Sequence, residues 1–211
     1  MQEQGSKNTE ASGSGRRRLM TAAGRLFAAN GLSEVTVAQI LDHSGVKAPT
    51  LYHHFGGKEG LYVAWACQTL DVAEAEFRAL SAGAPTLRDF LLEAARILLS
   101  QRSMDVLLAL RDRKWLADPD SLEQVDDALR VAVFEPIAKA IESGAGYRDG
   151  LAASQLFVHM VSVRRPSYRR PMAREAVPPS EIVDVFMSGV MAGTRTAVVR
   201  DGLPEAVLEV K

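Results

Sequence analysis

Apolar residues recur along this chain at intervals of three and four, with no convincing alternation of period two, so the sequence predicts helices throughout. Between Arg17 and Ala29 the positions Leu19, Met20, Ala23, Leu26 and Phe27 form one stripe. Asn30-Gly31 ends it, glycine being favoured just past a helix C-terminus. Thr36-Val37-Ala38-Gln39 then reads as a capping box: the threonine hydroxyl caps a new helix while Gln39 reaches back. That helix is short, because Ser44-Gly45 favours a tight turn. A third helix starts near Ala48-Pro49, where proline suits a first turn whose N–H has no intrahelical partner. It runs to His54 or Phe55, and Gly56-Gly57 stops it.

From Lys58 to Leu80 the pattern predicts a long helix with Tyr62, Ala66, Leu70, Ala73, Phe77 and Leu80 on one face. Such a rod is about 34 Å long, enough to join two domains. After a break at 81–85, further helices are expected at 86–100, 103–116, 120–143, 150–165 and 180–201. Pro136 falls inside the third of these and should kink it by removing a backbone bond. Pro166, Pro171, Pro178 and Pro179 make 166–179 a loop. The expected organisation is all-α: a disordered tail over 1–14, rich in Gly, Ser, Asn and Gln, a three-helix domain over 15–60, and a second helical domain over 61–211.

Composition narrows the class. With 211 residues, 47% hydrophobic and 24% charged, the chain can bury a sizeable core without disulfides or metal. Its single cysteine, Cys67, excludes an internal bridge and any CxxC motif, which fits a reducing cytoplasm. No stretch approaches the roughly 20 apolar residues that span a bilayer, and the first residues have no apolar signal-peptide core. A cytoplasmic location is therefore expected. The net charge of −1 is unevenly spread. From Arg16 to Lys58 the chain carries Arg16, Arg17, Arg18, Arg25, Lys47 and Lys58 against Glu34 and Asp42, leaving the remainder acidic. A locally basic segment in an acidic chain points to a confined anionic partner.

Two short helices around a glycine-containing turn match a helix-turn-helix, which lays its second helix in the DNA major groove. That groove is about 12 Å wide and admits one helix. The segment from Pro49 to His54 presents Thr50, Tyr52, His53 and His54, with Lys47 just before, a mix suited to phosphate and base-edge hydrogen bonds. Lys58 opposes the dipole of its own helix, which becomes sensible if a phosphate sits at that N-terminus; the plainer alternative is a solvated lysine beside Glu59. His53 and His54 point in different directions and have no suitably spaced Cys or acidic partner, so no metal site is expected. Nor is there a nucleophile elbow, phosphate loop or cofactor motif: no enzyme and no cofactor are expected.

The ordered set Gly31-Leu32, Thr36-Val37, Ile40, Ser44-Gly45-Val46, Thr50-Leu51-Tyr52-His53-His54-Phe55, Lys58-Glu59 and Leu61 resembles the N-terminal domain of the TetR/AcrR (tetracycline-repressor) family. The resemblance covers residues 16 to about 65 in register and without insertion. It implies that Thr36, Tyr52, His53 and Lys58 hold phosphates while Lys47, Ala48 and Thr50 face base edges. Lys47 stands where the family usually has Ser, and Pro49 where it often has Gly, so no operator sequence carries over. Phe27, Val37, Ile40, Val46, Leu51 and Phe55 read as packing residues, each burial worth about 1.5–3 kcal/mol.

Beyond residue 80 the resemblance is confined to helical layout and the stretch from Phe134-Glu135-Pro136 to Gly146-Tyr147-Arg148. It implies a ligand pocket between the long helix and the next three, with dimerisation through the last two. Pocket candidates are Trp65, Phe77, Phe90, Met104, Leu108, Arg111, Trp115 and Phe134, although aromatic and Met residues at helical spacing are equally plain core. In the final helix Ile182, Val185, Phe186, Gly189, Gly193 and Thr196 share a face. Interior glycines cost about 1 kcal/mol each relative to alanine, which close helix approach would offset. A dimer interface and packing within one chain both fit. Arg164, Arg165, Arg169, Arg170 and Arg174 crowd the following loop, either as a solvated basic segment or as an anion site.

The expected function is a ligand-responsive repressor that binds a palindromic DNA operator as a homodimer and is released by a small, largely apolar effector. A sequence-nonspecific architectural DNA-binding protein is the alternative. A pure ligand carrier would leave the pattern from Lys47 to Lys58 without purpose.

Overall fold

The computed structural model describes residues 3–100, 104–163 and 177–201, with side chains over 13–100, 106–162 and 177–190 and at Ala192. Every regular element among them is helical: α1 (Glu3–Asn30), α2 (Val37–Ser44), α3 (Ala48–Phe55), α4 (Lys58–Gly83), α5 (Leu87–Leu99), α6 (Met104–Asp112), α7 (Pro119–Leu129), α8 (Glu135–Ala145), α9 (Gly150–Val163) and α10 (Pro179–Asp201). Helix α1 begins at Glu3, so the backbone of 3–14 is helical rather than the disordered tail expected from composition. Extending a helix already nucleated at 17–29 adds one hydrogen bond per residue, and only nucleation is costly.

The expected kink at Pro136 takes a specific form. A π turn at Arg130–Phe134 follows α7, and α8 restarts with Pro136 in its first turn. A wide turn just before proline accommodates the missing N–H and the ring without breaking the chain direction outright.

Two compact units emerge. The first gathers α1, α2, α3, α4 as far as Glu74, α6, and the chain from α7 to Ala132. It is wider than the expected 15–60 domain because long-range polar contacts, described below, tie α6 and α7 to the first helices. Leu19, Phe27, Ile40, Leu51, Leu61 and Tyr62 are its fully buried centre. Phe27 meets Tyr62 edge-on at 5.1 Å and Trp65 at 5.6 Å. Gly24 admits Trp65, since a Cβ there would lie 3.0 Å from the indole. Of the expected packing residues Phe27, Ile40 and Leu51 are buried, whereas Val37, Val46 and Phe55 are half-buried.

The second unit holds the end of α4 from Ala75, α5, α8, α9 and α10. Leu91, Leu98, Ile137, Ile141, Phe157, Val161 and Val183 fill its core. Phe77, Phe90 and Phe134, three of the pocket candidates, are buried within it. In α10 the expected interface face divides. Ile182 and Phe186 are buried inside the chain, Phe186 against Phe157 at 5.1 Å, whereas Val185 is 60% exposed and a Cβ on Gly189 would meet nothing within 4 Å. The apolar arc of this helix also takes in Val183 and Val190, which rotates the buried side toward Ile182 and leaves Val185 and Gly189 outside. The surroundings of Gly193 and the side chain of Thr196, together with the arginines 164–174, lie outside the described residues.

Candidate nucleic-acid interface

The helix-turn-helix is built on local chemistry first. Thr36 caps α2 by accepting the N–H of Gln39 at 3.3 Å, and the Gln39 side chain accepts the N–H of Thr36 at 2.8 Å, completing the capping box. Gly45 closes α2 at φ 58°, a conformation that favours glycine. The turn is then pinned from α1: Arg18 donates from Nε to the Ser44 carbonyl at 3.0 Å and from its guanidinium to the Gly45 carbonyl at 2.8 Å. Any side chain at position 45 would run into that guanidinium. Arg18, one of the basic residues that mark this segment, thus serves the turn itself.

Helix α3 follows with Pro49 in its first turn and no side-chain cap from Lys47. Leu51 is fully buried and anchors one side, which turns Lys47, Tyr52 and His53 outward. Tyr52 is 55% exposed, a large exposure for a ring this size. Thr50 and Ala48 are half-buried, and Thr36 is exposed at the start of α2. One end of α3 lies against α1, where Gly15 leaves room for Thr50 and the Arg16 guanidinium sits 5.4 Å from the centre of the Phe55 ring. His53 and His54 rings are 5.0 Å apart, and among the described residues no group of His, Cys, Asp or Glu is arranged to hold a metal ion.

Lys58 is placed differently from either sequence reading. Its ammonium donates to the carbonyls of Leu32 at 3.0 Å and Val35 at 2.8 Å, capping the loop between α1 and α2. The same loop is held from α6. The carboxylate of Asp112, buried, accepts the N–H of Leu32 at 2.8 Å and pairs with Arg111 Nε at 2.6 Å. A third tie comes from Glu59, whose carboxylate accepts the N–H groups of Ala117 and Asp118 at 3.0 and 2.9 Å. Asp118 in turn caps α7 through the N–H of Ser121. The bonds of Lys58 to Leu32 and Val35, of Asp112 to Leu32 and of Glu59 to Ala117 and Asp118 each join residues more than 20 positions apart, and no periodicity or motif announced Asp112 or Glu59 as structural.

The other pocket candidates, Trp65, Met104, Leu108, Arg111 and Trp115, belong to this unit. Trp65 and Leu108 are core, and Arg111 is engaged with Asp112. Trp115, on a 3₁₀ turn, is 54% exposed with Lys114 over its ring, so it faces outward rather than lining an interior. The Met104 side chain is outside the described residues.

Residues 19–65 match the family model of the bacterial regulatory proteins of the tetR family. A search of curated proteins found no match. Among solved structures, reduced NemR of E. coli is similar over 82% of this chain and 96% of its own, at 18% identity and TM-score 0.65. A regulatory protein of the tetR family from Rhodococcus RHA1 shares 17% identity over 84% and 95% of the two chains, with TM-score 0.61. AibR in complex with isovaleryl coenzyme A and operator DNA shares 20% identity over 83% and 97%, again with TM-score 0.61. At these identities the three structures speak to the fold, and the matched segment 19–65 carries the helix-turn-helix described above. Residues 19–65 thus carry the DNA-binding domain of the tetR family of bacterial regulatory proteins, and the chain as a whole shares the fold of these structures.

Proposed function

We propose that the protein is a repressor that binds a palindromic operator as a homodimer and releases it when a small-molecule effector binds. The observation that carries this reading is the exposed polar side of α3, with Lys47, Tyr52 and His53 outward on a helix anchored by buried Leu51. In this reading Lys47, Ala48 and Thr50 address base edges, and Thr36, Tyr52 and His53 hold phosphates. Lys58 acts chiefly by fixing the start of α2, where Thr36 stands, and its remaining N–H reaches a phosphate only as a secondary contact.

A dimer supplies two recognition helices for two half-sites one DNA turn apart. The exposed Val185 and the open surface over Gly189 on α10, with Leu156 64% exposed on α9, support an interface through these two helices. An effector reading is supported by AibR, a structural relative bound to both a coenzyme A thioester and operator DNA. To release DNA the effector must prefer the non-binding conformation; a 100-fold preference corresponds to about 2.7 kcal/mol per site. Because Lys58 and Glu59 bond to the α1–α2 loop and the start of α7, a tilt of α4 would carry the helix-turn-helix with it.

Selection of genomic DNA fragments by purified protein, followed by affinity measurement across salt concentrations, tests the reading. A short palindromic site, preferred by a factor on the order of 1000 over unrelated duplex, is the expected result. Equal affinity for every fragment would favour an architectural protein instead.

A further inference from the structure

The basic character of the N-terminal segment is not spent on α3. Between α1 and the end of α2 lies an open groove of about 370 Å³, lined by Arg17, Arg18, Thr21, Arg25, His43 and Ser44. Arg17, Thr21 and Arg25 succeed one another at intervals of four on α1, so they form a single row, and all three are exposed. The row spans about 12 Å of helix axis. Arg18 closes one wall, held in place by its bonds to the Ser44 and Gly45 carbonyls of the helix-turn-helix turn. Among the described residues no carboxylate pairs with Arg17 or Arg25; the nearest acidic contact of the lining is Asp42, 4.0 Å from His43 on the open surface. Three guanidiniums line one groove with no described carboxylate paired to them, a setting that suits an oxyanion. Guanidinium groups suit phosphate in particular, through paired N–H donors.

The groove also sits close to the recognition helix. A Cβ on Gly15, two residues before Arg17, would lie 3.1 Å from the Thr50 side chain of α3, and Arg16 lies over Phe55. We infer that the Arg17–Arg25 row is a second phosphate-binding surface, engaging the sugar–phosphate backbone of the DNA that α3 reads. This rests on the DNA-binding reading above and adds α1 to it as a contributor of affinity without base preference. Backbone contacts of this kind position a protein on the duplex and carry no sequence information themselves.

The test uses the full chain, the selected fragment and an unrelated duplex of equal length, with affinity measured across potassium chloride concentrations. Arg17→Gln/Arg25→Gln keeps the apolar stems and removes both charges; Thr21→Glu places a carboxylate in the same groove. In the double variant the slope of log affinity against log salt should fall by about 1 to 2, one phosphate contact per arginine. Both duplexes should weaken by the same factor, so the preference between them stays. Thr21→Glu should weaken both as well. Unchanged slope and affinity in variants that keep the wild-type melting temperature would overturn the proposal. So would inorganic phosphate, at matched ionic strength and without DNA, raising the melting temperature of the wild type but not the double variant while the DNA slope stays fixed; the groove would then serve a free anion. Loss of fragment preference in the wild type would count against the operator reading alone, because phosphate contacts appear on any duplex.

Discussion

The carboxylate of Asp112 accepts the main-chain N–H of Leu32 at 2.8 Å across 80 residues of sequence, and the carbonyl of that same Leu32 accepts a hydrogen bond from the Lys58 ammonium at 3.0 Å. One peptide residue is thus held by α6 on its donor side and by α4 on its acceptor side. Because Thr36, the cap of α2, follows four residues later, the placement of the helix-turn-helix depends on groups far outside it.

Asp112→Ala should leave the Leu32 N–H buried without its acceptor and remove the ion pair with Arg111. The expected loss is about 1–3 kcal/mol of folding stability. Asp112→Asn, which retains a carbonyl oxygen, should lose less. Urea denaturation midpoints decide this, and an alanine variant as stable as the wild type would remove the bond from any structural role.

Gly31 precedes that leucine at φ 84°, and a Cβ there would run into the Arg111 guanidinium and lie 2.9 Å from Asp112. Gly56, at φ 71°, faces open space. Gly56→Ala should therefore show the left-handed backbone penalty alone, about 1–2 kcal/mol. Gly31→Ala should exceed it, since displacing Arg111 and Asp112 is added to the same strain. Equal thermal shifts for the two variants would mean that the α6 side chains give way freely.

Tyr52→Ala and Lys58→Ala should separate binding from folding. Tyr52 is 55% exposed, so its removal is expected to leave the melting temperature nearly unchanged while DNA affinity falls. Lys58→Ala deprives two carbonyls of a charged donor and should lower the melting temperature as well, a bond of this type being worth about 1.5–3 kcal/mol. A Lys58 variant with wild-type stability and reduced affinity would instead assign the residue to phosphate.

Burial pushes the Cys67 thiol above its ordinary pKa, and the nearby charge of Asp71 adds to the effect. Since the thiolate is the nucleophile, alkylation by iodoacetamide at neutral pH should be slower than that of a free cysteine peptide. Its rate should rise with pH through a midpoint higher than the peptide's, and Asp71→Asn should bring that midpoint part of the way back. A rate profile matching the free peptide would contradict the burial seen here.

Much of the helix-turn-helix was legible in advance because its signals are local. The Thr36–Gln39 box, Gly31 and Gly45 at helix ends and Pro49 in a first turn all act within four residues, the range of a helical turn. Periodicity likewise located the later helices to within a few residues, and Pro136 marked the interruption that became a π turn.

What sequence alone could not decide was which charged groups meet. Lys58 read as a phosphate ligand or a solvated side chain, and the fold turned it onto Leu32 and Val35; Arg18 counted toward a basic footprint and proved to pin the turn. Ile182 and Val185 shared an apolar face on paper, yet packing against the neighbouring helices buried one and left the other 60% exposed. Helical propensity, caps and turns depend on neighbours in the chain, so residue order by itself determined the elements and the recognition motif. The partners of Asp112, Lys58 and Glu59, and the basic groove on α1, depend on tertiary approach, where a few degrees of helix rotation select which donor reaches which acceptor.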